Sequence, residues 1–141
     1  MKAFVGLMFI TFSFALTDGW ILFERVKFTR KYSQLYGQYF EKAEFDSEIN
    51  AWKGKEVTLE GYYVPTGLPD DKAVILSRYP FASCFFCGGA GPESVAEIVF
   101  AGKKPNLEID DLVTVKGKLK LNNTDEWRMT FILEDATIIK D

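Results

Sequence analysis

Two cysteines stand two residues apart, Cys84 and Cys87, and no other thiol occurs in the 141 residues. They lie in the run Pro80-Phe81-Ala82-Ser83-Cys84-Phe85-Phe86-Cys87-Gly88-Gly89-Ala90-Gly91-Pro92-Glu93-Ser94. A pair at this spacing can close a tight disulfide, hold one edge of a metal site, or exchange disulfides with another protein. Gly88 and Gly89 let the backbone adopt conformations closed to other residues and come close to a ligand. Pro92 and Glu93 open a short helical turn, with proline in its first position.

Each chemistry makes its own demand on the neighbouring residues. Tetrahedral zinc wants four ligands, and Cys84 and Cys87 supply two, with Glu93 the nearby acid. A soft ion such as Cu(I) accepts fewer thiolates and fits the pair better, so a thiophilic metal, copper or zinc, is one reading. A structural Cys84–Cys87 disulfide is another, suited to an oxidising compartment and an even cysteine count. Thiol–disulfide exchange is a third, although such sites place the first cysteine at a helix start and Gly88-Gly89 weakens a helix here. A pair of buried free thiols is the fourth. Haem attachment fails, because Gly88 stands where histidine would be needed. Phe85 and Phe86 divide between stacking on a ligand and plugging the end of the core.

The wider composition removes whole classes of function. The chain has no histidine, which excludes histidine-based triads, HExxH zinc sites and blue-copper centres. Its net charge is -3, and no run of Lys or Arg offers the basic face that a nucleic acid requires. Lys116, Lys118 and Lys120 form a stripe on one strand face and read as solvated. The acid pairs Asp70-Asp71 and Asp110-Asp111 read as turn and loop residues.

The chain begins with a positive start, Met1-Lys2, followed by the uncharged run Ala3 to Leu16. This is the layout of a signal peptide, with Ser13 and Ala15 placing the cut after Ala15. The run is too short for a span of roughly 20 residues, so no stable transmembrane span is expected. The expected location is periplasmic or secreted.

The elements that position the cysteines follow from residue periodicity. Residues 16–53 read as an N-terminal arm and a short helix. Trp20 to Phe45 is aromatic-rich without a single period, an extended arm laid on the rest. Asp46 caps a helix that turns Ile49 and Trp52 inward and ends at Gly54. Residues 54–141 read as a β-barrel domain. Period-two alternation predicts strands at 57–63, 96–100 and 113–122, and further strands are expected at 73–79, with Ile75 and Leu76 as its apolar centre, and at 128–139, bent at Glu134-Asp135. Val57-Thr58-Leu59-Glu60-Gly61 is echoed by Val113-Thr114-Val115-Lys116-Gly117, and glycine inside a strand marks a bulge or sharp coil. Five short strands with strongly bent first and fourth members predict a mainly β fold, a five-stranded OB-type barrel. An SH3-like barrel or small sandwich is the rival.

The chain resembles a group of exported bacterial proteins expected to hold a single OB-type domain. The resemblance rests on Gly54-Lys55-Glu56-Val57-Thr58-Leu59-Glu60-Gly61-Tyr62, on Leu76-Ser77-Arg78-Tyr79-Pro80 with Ser83-Cys84-Phe85-Phe86-Cys87-Gly88-Gly89, and on Val113 to Gly117 with Ile132-Leu133-Glu134-Asp135-Ala136. It spans roughly Trp20 to Ile139 and implies export and fold, without an activity. The expectation is a small exported binding or accessory protein rather than an enzyme. Its CxxC segment (Cys84, Phe85, Phe86, Cys87, Gly88, Gly89 and Glu93) serves as ligand or metal contact or as a disulfide-pinned loop. Its partner is an unknown protein or small ligand. A thiol–disulfide redox protein and a purely structural module are the alternatives.

Overall fold

Alternation of apolar and polar residues over Val57 to Tyr63 makes one face of that segment a core face. In the computed structural model, which describes residues 17–65, 68 and 71–139, this segment is the strand β3 (Glu56–Val64). The four other expected strands are β4 (Ala73–Ser77), β5 (Val95–Phe100), β6 (Leu112–Leu121) and β7 (Phe131–Ile138). They close into a barrel in the order β3-β4-β5-β7-β6. All neighbours are antiparallel except β5 and β7, which run parallel. The fold is mainly β, a closed five-stranded barrel of OB type. The proposed signal segment and most of the turn expected at Gly67, Pro69, Asp70 and Asp71 lie outside the described residues.

The echoed segments are partners. Val57 lies opposite Gly117, Leu59 opposite Val115 and Gly61 opposite Val113. Each glycine sits where its strand passes from one neighbour to the next. β3 pairs with β6 as far as Tyr62 and with β4 from Tyr62 onward. A Cβ on Gly61 would stand 2.7 Å from the Ser77 carbonyl oxygen, and one on Gly117 would stand 2.9 Å from that of Glu134. The β6–β7 register shifts between Lys116 and Lys118, and Asp135 takes a positive φ of 50°, so the bend expected at Glu134-Asp135 is a bulge. Lys116, Lys118 and Lys120 pair with Glu56, Asp135 and Glu134 at 3.8, 3.7 and 3.4 Å on an exposed face. Such exposed pairs are worth little individually.

The N-terminal arm carries more order than its sequence announced. Asp18 caps a second short helix, α1 (Gly19–Phe23), accepting from the Trp20 amide. Trp20 and Phe23 sit one turn apart and both are buried. Phe23 stacks on Phe131 at 3.9 Å between ring centroids, and the Trp20 indole donates to the Glu60 carbonyl at 2.8 Å. The helix therefore closes part of the barrel core. A hairpin follows, β1 (Lys27–Ser33) and β2 (Gln38–Glu44), in a two-stranded sheet of its own. Its base is anchored by Phe28, edge-on to Phe131, and by buried Ala43. Helix α2 (Ser47–Asn50) is the expected one, with the Asp46 side chain accepting from the Ile49 amide. Among the described residues no helix is long and apolar enough to cross a membrane.

Ala at either barrel glycine drives a methyl group against a carbonyl oxygen. Gly61→Ala and Gly117→Ala are each expected to cost about 1–3 kcal/mol, the usual range for overfilling a packed site, measured by urea unfolding. A loss within about 0.5 kcal/mol, typical of an unconstrained surface position, would show that the strands are not held this closely.

Candidate functional site

The cysteine segment joins β4 to β5 and folds into three single 3-10 turns, Phe81–Ser83, Phe85–Cys87 and Pro92–Ser94. Its backbone is closed upon itself. The Cys84 carbonyl accepts from the amides of both Cys87 and Gly89, each at 3.1 Å. Gly89 lies so close to Ser83 that a Cβ would stand 2.5 Å from the Ser83 carbonyl oxygen. Gly88, at φ 76°, ends the middle turn in the left-handed region. At the start of the segment, the Phe81 amide donates to the Asp110 carboxylate at 2.7 Å. Asp110 was expected only as a loop residue. It pins the cysteine loop to the β5–β6 connection, a tie that spans 29 residues and leaves no local signal.

The two thiols are unlike. Cys84 is fully buried with Val64, Ile75 and Val95 in a small apolar cluster at the barrel end. Phe85 packs against the same cluster. Cys87 is exposed, and both are free thiols in this structure. The Cys87 thiol is held above its ordinary value, first by partial desolvation and then by the charge and hydrogen bond of Cys84. The pair is thus close enough for thiol–thiol hydrogen bonding, and its accessible member is not activated. Phe86 is exposed and edge-on to Phe85 at 5.4 Å. Glu93 is half-buried, and its carboxylate folds back over Gly91. Among the described residues no three Cys, Asp or Glu converge on a metal-sized space. Any third ligand to the pair would come from outside that set.

A groove of about 480 Å³ begins beside this loop. Phe85 and Pro92 line it from the cysteine segment, Phe40 and Lys42 from the hairpin, and Trp127 and Met129 from the β6–β7 loop. Beside it lies a buried ion pair. Glu97, 1% exposed, takes Arg128 Nε at 3.0 Å and Nη2 at 2.5 Å on one carboxylate oxygen, and the Met129 amide at 3.2 Å on the other. The hydrogen bond to Glu97 comes first in raising the Arg128 guanidinium above its ordinary value. The expected last strand began at Arg128. The ladder starts at Phe131 instead, because Arg128 and Met129 are turned to Glu97. Comparison with family models, with curated proteins and with solved structures finds no match, so the groove and the loop are the ground for a functional reading.

Two outcomes test the asymmetry of the thiols. In the reduced protein Cys84→Ser puts a hydroxyl into the dry cluster and is expected to cost about 1–3 kcal/mol, whereas Cys87→Ser is near neutral by urea unfolding. Equal losses would contradict the burial difference. The alkylation rate of Cys87 should rise with pH through a midpoint above that of free cysteine. A raised folded-state value favours the protonated form, so this contribution to stability is present at neutral pH and lost as pH climbs through the folded midpoint. Cys84→Ala should lower the midpoint only part-way, since desolvation remains. A midpoint below that of free cysteine would mean an activated thiolate.

Proposed function

We propose that the protein is an exported, non-enzymatic binding module, and that its Cys84–Cys87 segment, closed by a disulfide in an oxidising compartment, holds one end of a ligand groove. The observation that carries this reading is the placement of Phe85. It is fixed between two cysteines, packs on the barrel end beneath it, and lines the groove. The self-closed backbone of the segment supports a fastening role, because the amides of Ser83, Cys84, Cys87, Gly88 and Gly89 are spent on the segment's own carbonyls rather than left for a substrate. The raised Cys87 thiol supports it further, since exchange catalysts lower the value of the attacking sulfur. Export is supported by the basic and apolar layout of the first residues. Zinc held by the pair would need ligands from another molecule or from beyond the described residues, whereas Cu(I) accepts as few as two thiolates.

The asymmetry of the thiols favours one second reading. An accessible Cys87 over a buried Cys84 is the arrangement in which one sulfur attacks and the other resolves, as in a thiol–disulfide exchange protein. The two readings part on redox poise. A fastening disulfide is expected to persist in buffers poised down to about -300 mV, and the protein should not accelerate insulin reduction by dithiothreitol. Intact mass after alkylation reads the first point and also reports whether the chain begins near Leu16. A midpoint near -200 mV, the range of glutaredoxins, together with turnover of insulin, replaces the binding module with the exchange protein.

A further inference from the structure

One wall of the groove is lined by residues of β2. Among the described residues, strand β2 pairs with β1 and with no other strand. Residues of an antiparallel pair alternate between turning their N–H and C=O toward the partner and turning them away. Three contacts fix which residues of β2 turn away. The Ala43 carbonyl leaves β1 to accept from Asn123 Nδ2 at 3.3 Å. The neighbouring Lys42 carbonyl lies on the β1 side, 3.5 Å from the Thr29 hydroxyl. Ser33, opposite Gln38, turns its carbonyl inward to the Gly37 amide at 2.9 Å. Tyr39, Glu41 and Ala43 therefore present their main-chain groups outward. Asn123 covers the last carbonyl and stops the ladder there. Among the described residues the N–H and C=O of Tyr39 and Glu41, with the N–H of Ala43, have no main-chain partner, and Glu41 and Ala43 line the groove while Tyr39 lies just outside its lining.

The charges and the rim say what would lie along it. Glu41, Asp125 and Glu126 line the groove together with Lys42, while the other lining cation, Arg128, is held by Glu97. Carboxylates thus outnumber the cations not already paired within the wall. Trp127, 75% exposed, offers a ring on the opposite side. The charges of β1 are different, since that strand carries only cations, Lys27, Arg30 and Lys31, which repel a Lys- or Arg-bearing segment, whereas β2 carries Glu41 and Glu44 beside Lys42. Antiparallel self-pairing of β2 centred on Glu41 would set that carboxylate against its copy, and like charges directly opposite are unfavourable.

We propose that the β2 edge from Tyr39 to Ala43 receives an extended, Lys- or Arg-bearing peptide segment of a partner protein as an added strand. The proposal rests on the binding-module reading and supplies its ligand class. Main-chain bonds give such a complex its affinity, and pockets for alternate side chains give its specificity. Here Phe40, Met129 and Phe85 provide the apolar surface and the three carboxylates receive the cations. The added strand also makes a third for a ribbon that is marginal with two.

The test uses the full chain and three blocked peptides, acetyl-KVTVKV-amide, the same peptide N-methylated at alternate residues, and acetyl-EVTVEV-amide. Amide hydrogen exchange is followed by NMR. The lysine peptide is expected to slow exchange at Tyr39, Glu41 and Ala43 by about tenfold or more, as local opening is suppressed. N-methylation of the ladder-facing amides abolishes the effect, and the glutamate peptide binds about fivefold more weakly, the equivalent of one good exposed ion pair. Glu41→Pro removes an outward N–H on an edge strand, where proline is tolerated; it should keep the hairpin signals and lose the peptide effect. Binding that moves Trp127 and Met129 signals yet ignores N-methylation overturns strand addition while the groove reading stands. No slowing at Tyr39 and Glu41 with the lysine peptide in millimolar excess also overturns it. So does concentration-dependent protection of these amides without peptide, which would assign the edge to a second copy. Insulin turnover would defeat the binding-module reading whatever happens at β2.

Discussion

Closure of the barrel depends on two places where β3 and β6 carry no side chain. Each strand must serve two neighbours, and it can do so only by coiling sharply where one pairing gives way to the next. At Gly61 the missing Cβ admits the Ser77 carbonyl from β4, and the edge of the Trp20 ring lies 3.2 Å from the same point. The coil that closes the barrel thus also makes room for α1. Through α1, Phe23 reaches Phe131, and Phe131 is in turn the ring against which Phe28 sets the hairpin. A continuous line of contacts runs from one glycine to the hairpin that borders the groove.

Glu97 is the one charged side chain that is buried among the described residues. Taking a carboxylate out of water carries a desolvation penalty that a single ion pair often fails to offset. Here both oxygens are used, one by the Arg128 guanidinium and one by the Met129 amide. Its effect is positional. It halts β7 at Phe131 and folds Arg128 and Met129 over β5, next to Val95 and the apolar cluster that holds Cys84. The same turn is held by the Asn122 side-chain amide, which donates to the carbonyls of Asp125, Arg128 and Met129, and it supplies the groove's second wall.

Strands β3 and β6 were legible because each has a drier and a wetter face, which writes period two into Val57 to Tyr63 and Val113 to Leu121, whereas β4 and β5 are buried on both faces and stood out by their apolar residues. The echo of five residues marked two strands that proved to face each other. The hairpin was illegible for the complementary reason. Tyr32 and Tyr39 remain exposed although they touch, with ring centroids at 5.0 Å, so neither face of β1 or β2 reads as consistently apolar. Helix α1 was too short to show a period. The cysteine segment was recognisable as a site from its composition, but the burial of Cys84 against the exposure of Cys87 depends on Val64, Ile75 and Val95, which belong to three different strands. The groove left no signal, since its walls come from the hairpin, the β4–β5 connection and the β6–β7 loop.

The shortness of the cysteine loop bears on what a bond across it would accomplish. Closing so few residues removes little freedom from the unfolded chain, worth about 2 kcal/mol by the loop-length argument, and the barrel core is far larger than that. Global stability is a weak reason for such a pair. Local shape is a better one. Phe85 sits inside the closed ring of residues, where two backbone bonds to the Cys84 carbonyl already fix the turn. A covalent link from buried Cys84 to exposed Cys87 would tie the outer limb of the turn to the barrel through a side chain that cannot move. The ring of Phe85 would then keep its position on the cluster when the groove is empty, and the ordering cost of binding would be lower.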